Sequence, residues 1–63
     1  MSKYDVGDVI VLLPEAYPIE EYWGQPLIIL QEFDDLYYCT DANNEMWVVA
    51  FEEIKGFFQN EDL

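Results

Sequence analysis

The sequence predicts an all-β domain: a small barrel of four to five antiparallel strands, with one long early loop and a short C-terminal helical turn. Three observations carry that expectation. Short apolar segments rich in β-branched and aromatic residues recur along the chain, as in VIVLL, LIIL and WVVAF. Gly-Asp, Asp-Asp and Asn-Asn pairs separate them, and these residues favour turns. The chain has only 63 residues, enough for one core and one domain.

Gly7-Asp8 opens a turn into the first strand, Val9 to Leu13, which Pro14 ends. EAYPIEEYWGQP then forms a long loop with two prolines and one glycine, and Ile19 to Tyr22 suits a single helical turn. Loops of this length in so small a domain are commonly functional. The second strand runs from Leu27 to Glu32, and Asp34-Asp35 turns the chain into the third, Leu36 to Asp41. Ala42 to Asn44 form the next turn, and Glu45 to Phe51 the fourth strand. Phe51, Ile54 and Phe57 recur every three residues, which predicts one short 3₁₀ or α turn interrupted at Gly56. Residues 59–63 read as an acidic tail on the single domain 1–63.

The second hairpin can be read further. With Asn43-Asn44 as a two-residue loop, Thr40 faces Trp47 and Tyr38 faces Val49, while Cys39 meets Val48 and Tyr37 meets Ala50. This register sends Cys39, Val48 and Ala50 to the core. It leaves Tyr38, Trp47 and Val49 as an exposed aromatic face with a rim of Asp41 and Glu45. A slip of one residue would exchange the faces.

The run YDVGDVIVLL, the loop to Gly24, the apolar strand after it and YYCTDANNEMWVVAFEEI resemble small SH3-like barrels. Short phage- or prophage-encoded proteins of that fold are particularly similar. They often enter the first strand through Gly-Asp-x-Val, as Gly7-Asp8-Val9-Ile10 does here, and end in a hairpin and a short turn, here near Glu52-Glu53-Ile54. The resemblance spans about residues 4–58. It implies a small barrel that works by binding. Related translation-associated barrels are basic and contact RNA; this chain departs from them in charge.

Fourteen acidic residues against two basic ones give a net charge of −12. Such a surface repels nucleic acid and anionic membranes. With 52% hydrophobic and 17% aromatic residues the chain is not a disordered acidic tail. No apolar run approaches the ~20 residues of a membrane helix, and no targeting segment is visible. Cys39 is alone, so no internal disulfide forms, which favours a reducing compartment and a cytoplasmic location. There is no histidine, hence no ordinary general base.

The acids and the lone thiol suggest three chemistries that the sequence does not support. Asp41, Asn43 and Glu45 alternate as in a calcium loop, but Met46 stands where that loop needs glycine. The pairs Glu20-Glu21, Asp34-Asp35 and Glu52-Glu53 lie in turns, where both carboxylates are solvated rather than poised as an acid and a base. Cys39 has no histidine or nearby cation to activate it. The chain is therefore read as neither an enzyme nor a holder of a metal or cofactor.

What remains is binding. In EYWGQP, Tyr22 and Trp23 are large aromatics in a loop, suited to anchor an interface or to cap the core. The candidate contact set is Glu20, Glu21, Tyr22, Trp23, Asp34, Asp35, Asp41, Glu45, Trp47, Glu52 and Glu53. The expected partner is the basic surface of a host nucleic-acid-processing protein, such as RNA polymerase, a nuclease or a CRISPR effector. The chain would inhibit or modulate it as a monomer or weak homodimer, with carboxylates standing in for phosphates. An alternative is a peptide-binding adaptor or a structural dimer using the aromatic face. Mimicry requires the acids to cluster: spread over the ~4,000 Å² of so small a fold, they are about threefold sparser than duplex phosphates.

Overall fold

The structure, a computed structural model, describes residues 4–59. It is all-β: β1 (Val9–Leu12), β2 (Leu27–Phe33), β3 (Leu36–Thr40), β4 (Met46–Ala50) and β5 (Ile54–Phe57). They form one antiparallel sheet in the order β4-β3-β2-β1-β5. Three 3₁₀ turns lie between strands, at Pro14–Ala16, Glu20–Tyr22 and Phe51–Glu53. Residues 60–63 of the expected acidic tail lie outside the described residues.

Local chemistry sets the turns. Gly7 has φ +97° in the turn closed by the Asp8 N–H to the Asp5 C=O (3.0 Å), a position where a side chain would be strained. The Asp8 carboxylate also accepts the Asp5 N–H at 2.8 Å. The β2–β3 turn is two residues long, with Asp34 at φ 56°.

One side of the sheet buries Ile10, Leu27, Ile29 and Cys39 completely, with Tyr4, Leu12, Tyr17, Tyr37, Val49 and Ile54 around them. Tyr4 covers one end of this core, its ring centroid 6.1 Å from Tyr37, 5.9 Å from Phe51 and 5.1 Å from Phe57. Tyr17 ties the long loop down. Between Val11 and Leu12 the β1–β5 register shifts. The Leu12 N–H donates to the Tyr17 hydroxyl (3.0 Å), which in turn donates to the Gln25 C=O (2.8 Å). One phenol thereby anchors both ends of the loop to the sheet.

Three expectations are corrected. Residues 54–57 are a strand, not part of a helical turn. Only Phe51–Glu53 turn as 3₁₀, and the chain then pairs with β1. The spacing of Phe51, Ile54 and Phe57 imitates a helix because a 3₁₀ turn runs straight into a strand. Second, the β3–β4 loop has three residues, not two. Asp41 pairs with Glu45 (N–H to C=O, 3.1 Å), the Asn44 N–H donates to the Asp41 C=O (2.9 Å), and Asn44 takes φ 66°. Third, that extra residue shifts the register by one: Cys39 faces Trp47, Tyr38 faces Val48, and Tyr37 faces Val49. Trp47 and Val49 therefore turn inward, and Val48 and Ala50 outward.

Candidate docking surface

The outward side of β2, β3 and β4 is a grid of three rows: Ile28–Thr40–Met46, Gln31–Tyr38–Val48 and Phe33–Leu36–Ala50. None of these nine positions is charged, in a chain with 14 acids. Ile28, Phe33, Leu36, Met46 and Val48 are exposed, Met46 at 63% and Val48 at 56% accessibility, while Tyr38 and Ala50 are half-buried. β2 adds Leu30, which the bulge between Ile29 and Gln31 leaves without a partner on β3 and 46% exposed. Such a bulge re-aims a side chain and strengthens the local twist.

Strand spacing and rise make this grid roughly 14 by 17 Å, about 240 Å². A stable complex buries about 800 Å² on each partner. The grid alone is too small, so any docking surface must extend beyond it. It continues at the Phe33–Leu36–Ala50 end into an open groove of ≈ 520 Å³ lined by Glu32, Asp34, Asp35, Leu36, Tyr37, Ala50, Phe51 and Glu52. Leu36 and Ala50 belong to both, so an acidic groove and an uncharged sheet face form one continuous surface.

The predicted contact residues divide into three places. Asp34, Asp35 and Glu52 line the groove. Glu20, Glu21 and Trp23 lie exposed on the long loop, Trp23 at 53% accessibility. The third group works inside the fold. Asp41 is buried, 7% accessible, and its carboxylate accepts from the Asn43 N–H (2.8 Å), the Glu45 N–H (2.9 Å) and the Trp47 indole (2.9 Å). The Glu45 amide and then the indole hold its pKa below the ordinary value of 3.8. Trp47 stands edge-on to Tyr17 and Tyr22, with centroids 5.9 and 5.8 Å away. Tyr22 is half-buried against the core. Trp47 is thus no exposed anchor, and Asp41 no rim residue; of the expected rim, Glu45 is exposed. Glu53 accepts the Ala50 N–H at 2.9 Å and closes the 3₁₀ turn after β4.

Sequence reasoning missed Ile28, Leu30, Phe33, Leu36, Met46 and Val48. Their signal was available in part. β2 reads LIILQEF without apolar–polar alternation, so one of its two faces had to be apolar and outward. Cys39 is wholly buried, and burial pushes its thiol up to about 11. Among the described residues no group of three or more Cys, Asp or Glu is arranged to hold a metal, and no helix is long and apolar enough to cross a membrane.

No protein-family model matches this chain, and no curated protein or solved structure matches it either. The fold and surface define its class: a five-stranded, single-sheet β domain with an uncharged face set against an acidic groove.

Proposed function

We propose that this chain is a non-enzymatic protein-binding module. It docks the uncharged face and the acidic groove onto a basic, apolar-centred surface of a nucleic-acid-handling protein, and so modulates or inhibits that protein. One observation carries the reading: the groove lined by Asp34, Asp35 and Glu52 shares Leu36 and Ala50 with the uncharged face. An apolar centre excludes water, and a charged margin sets partner choice and on-rate. Lysines and arginines that contact phosphates are the natural complement of such a margin. The average charge density argues against mimicry by an even coat. A net −12 on 4622 Å² is one charge per about 385 Å², against roughly one per 100 Å² on duplex DNA. Local crowding of carboxylates around the groove is what favours a basic partner.

The test compares proteins captured from a bacterial lysate by the wild type and by Tyr38→Glu, followed by affinity against salt for the captured partner. Tyr38 lies at the centre of the grid, so Tyr38→Glu is expected to weaken binding more than about 10-fold. The triple variant Asp34→Asn, Asp35→Asn, Glu52→Gln should bind more weakly and with a shallower salt dependence. Equal capture by Tyr38→Glu, together with affinity unchanged between about 50 and 500 mM salt, would overturn the proposal. The peptide-adaptor alternative rests on Trp23; it requires Trp23→Ala to abolish binding and Tyr38→Glu to spare it.

A further inference from the structure

β4 is the last strand on its side of the sheet. In an antiparallel pair, successive residues point their backbone groups alternately toward the partner and away from it. The Asp41 N–H to Glu45 C=O bond fixes the phase. Glu45, Trp47 and Val49 address β3; Met46, Val48 and Ala50 present their backbone groups at the free edge. The Ala50 N–H is already taken by Glu53. The N–H and C=O of Met46 and Val48 remain, and among the described residues no backbone hydrogen bond outside the strands reaches them. They offer two donors and two acceptors at alternate residues, the pattern a further strand requires.

The two edges of the sheet differ. β5 has four residues, includes Lys55 and Gly56, and meets β1 through a register shift. Short length, a lysine and an irregular register all discourage strand addition. β4 has none of these: Met46–Ala50 carries no charge and no proline, and it pairs with β3 without a bulge.

We propose that the β4 edge is a strand-addition site for an extended, Lys/Arg-flanked segment of the partner protein. This inference rests on the protein-binding reading and specifies its mode. Charge selects the occupant. Glu45 precedes β4, and Glu52 and Glu53 follow it, in a chain of net charge −12. A second copy would bring the same negative ends together. A segment with cations at both ends and apolar residues between them neutralises those ends instead. Alternate side chains of the added strand would lie beside Met46 and Val48 and widen the uncharged face. Glu45 to Ala50 spans roughly 17 Å of extended chain, and Glu52 lies in the 3₁₀ turn just beyond, which sets the spacing of the flanking cations at about five to six residues.

The probe is a synthetic peptide of alternating valine and threonine with two lysines at each end; the control carries glutamates in their place. Binding to the intact protein is read by fluorescence titration and by amide hydrogen exchange. The lysine peptide is expected to slow exchange of the Met46 and Val48 amides at least 10-fold and to leave the ladder amides Trp47 and Val49 unchanged. The glutamate peptide should bind at least 10-fold more weakly. Val48→Pro deletes a free N–H without removing a ladder bond and should weaken binding about 10-fold or more, whereas Val48→Ala keeps the N–H and should weaken it less. If Val48→Pro does not fold, the wild-type exchange pattern decides. No slowing at Met46 and Val48 at millimolar lysine peptide, or equal binding of the two peptides, overturns the inference. So does slowing of these amides by salt without peptide, which assigns the edge to a second copy. With the lysate partner, binding lost in Tyr38→Glu and kept in Val48→Pro refutes strand addition alone; binding kept in both refutes the docking surface as well.

Discussion

Deleting one oxygen atom, in Tyr17→Phe, should destabilise the fold by about 2–3 kcal/mol. The Tyr17 hydroxyl accepts the buried Leu12 N–H at 3.0 Å and donates to the Gln25 C=O at 2.8 Å. Phenylalanine fills the same space, so no cavity term enters. A buried donor left without a partner costs about 1–3 kcal/mol. The Gln25 carbonyl is only half-buried, so water can partly replace its lost bond, at a cost nearer 0.5–1 kcal/mol. In a domain of 60–100 residues each kcal/mol moves Tm by about 4–8 °C, so the midpoint should fall by about 8–24 °C. Circular dichroism on heating and in urea measures this. Tyr22→Phe is the control, because no hydrogen bond of the Tyr22 hydroxyl occurs among the described residues; its Tm should hold within about 3 °C. A second arm uses pH. Burial raises the Tyr17 pKa above 10.0, and the Leu12 bond partly opposes that rise. A raised pKa contributes stability that is full below pH 10 and is lost as pH climbs through the folded value. The advantage of wild type over Tyr17→Phe should therefore shrink above pH 10. A Tm within about 3 °C of wild type for Tyr17→Phe would refute the view that this phenol anchors the loop.

Two further outcomes follow from buried groups. The Cys39 thiol, moved from 9.0 to about 11 by burial, holds about 100-fold less thiolate at pH 8 than an ordinary cysteine. Alkylation by iodoacetamide at pH 8 should be at least that much slower in buffer than in urea, measured by mass spectrometry. Asp41 has the opposite sign: its pKa is lowered by the Glu45 amide and the Trp47 indole. Its contribution is present above pH 3.8 and is lost as pH falls through the lower folded value. Urea midpoints of wild type and Asp41→Asn should differ at pH 6 and converge in acid; a constant gap would mean that the charge of Asp41 plays no part.

Strands one to four were legible because their apolar runs end at residues that cannot continue them, such as Pro14, Asp34 and Asn44. β5 was not, since IKGF is four residues long and contains a glycine. Its pairing with β1 is a tertiary contact that no local signal announces. The proposed docking surface was half legible. Asp34, Asp35 and Glu52 were chosen for charge and do line the groove. The aromatics were chosen for size, and size suits a core as well as an interface: Trp47 and Tyr22 pack inward. The decisive quantity was loop length. Nothing within ANN alone separates a two-residue loop from a three-residue one; the choice is made by the Asp41 carboxylate, which gathers the Asn43 and Glu45 amides and the Trp47 indole.

That grip has a consequence for how the protein can change over generations. Substitutions at Met46 or Val48 alter one point of the outer face and leave the rest intact. Removing one asparagine from the tip is a different kind of event. With Asp41 still opposite Glu45, it would close the hairpin by a two-residue loop and leave every side chain of β4 on its present face. What it would remove is the three-residue tip in which the Asp41 carboxylate gathers the Asn43 and Glu45 amides. The hairpin tip therefore tolerates a change of length as long as Asp41 and Glu45 stay paired, whereas a gap within β3 or β4 would slip one strand by a residue and exchange its faces.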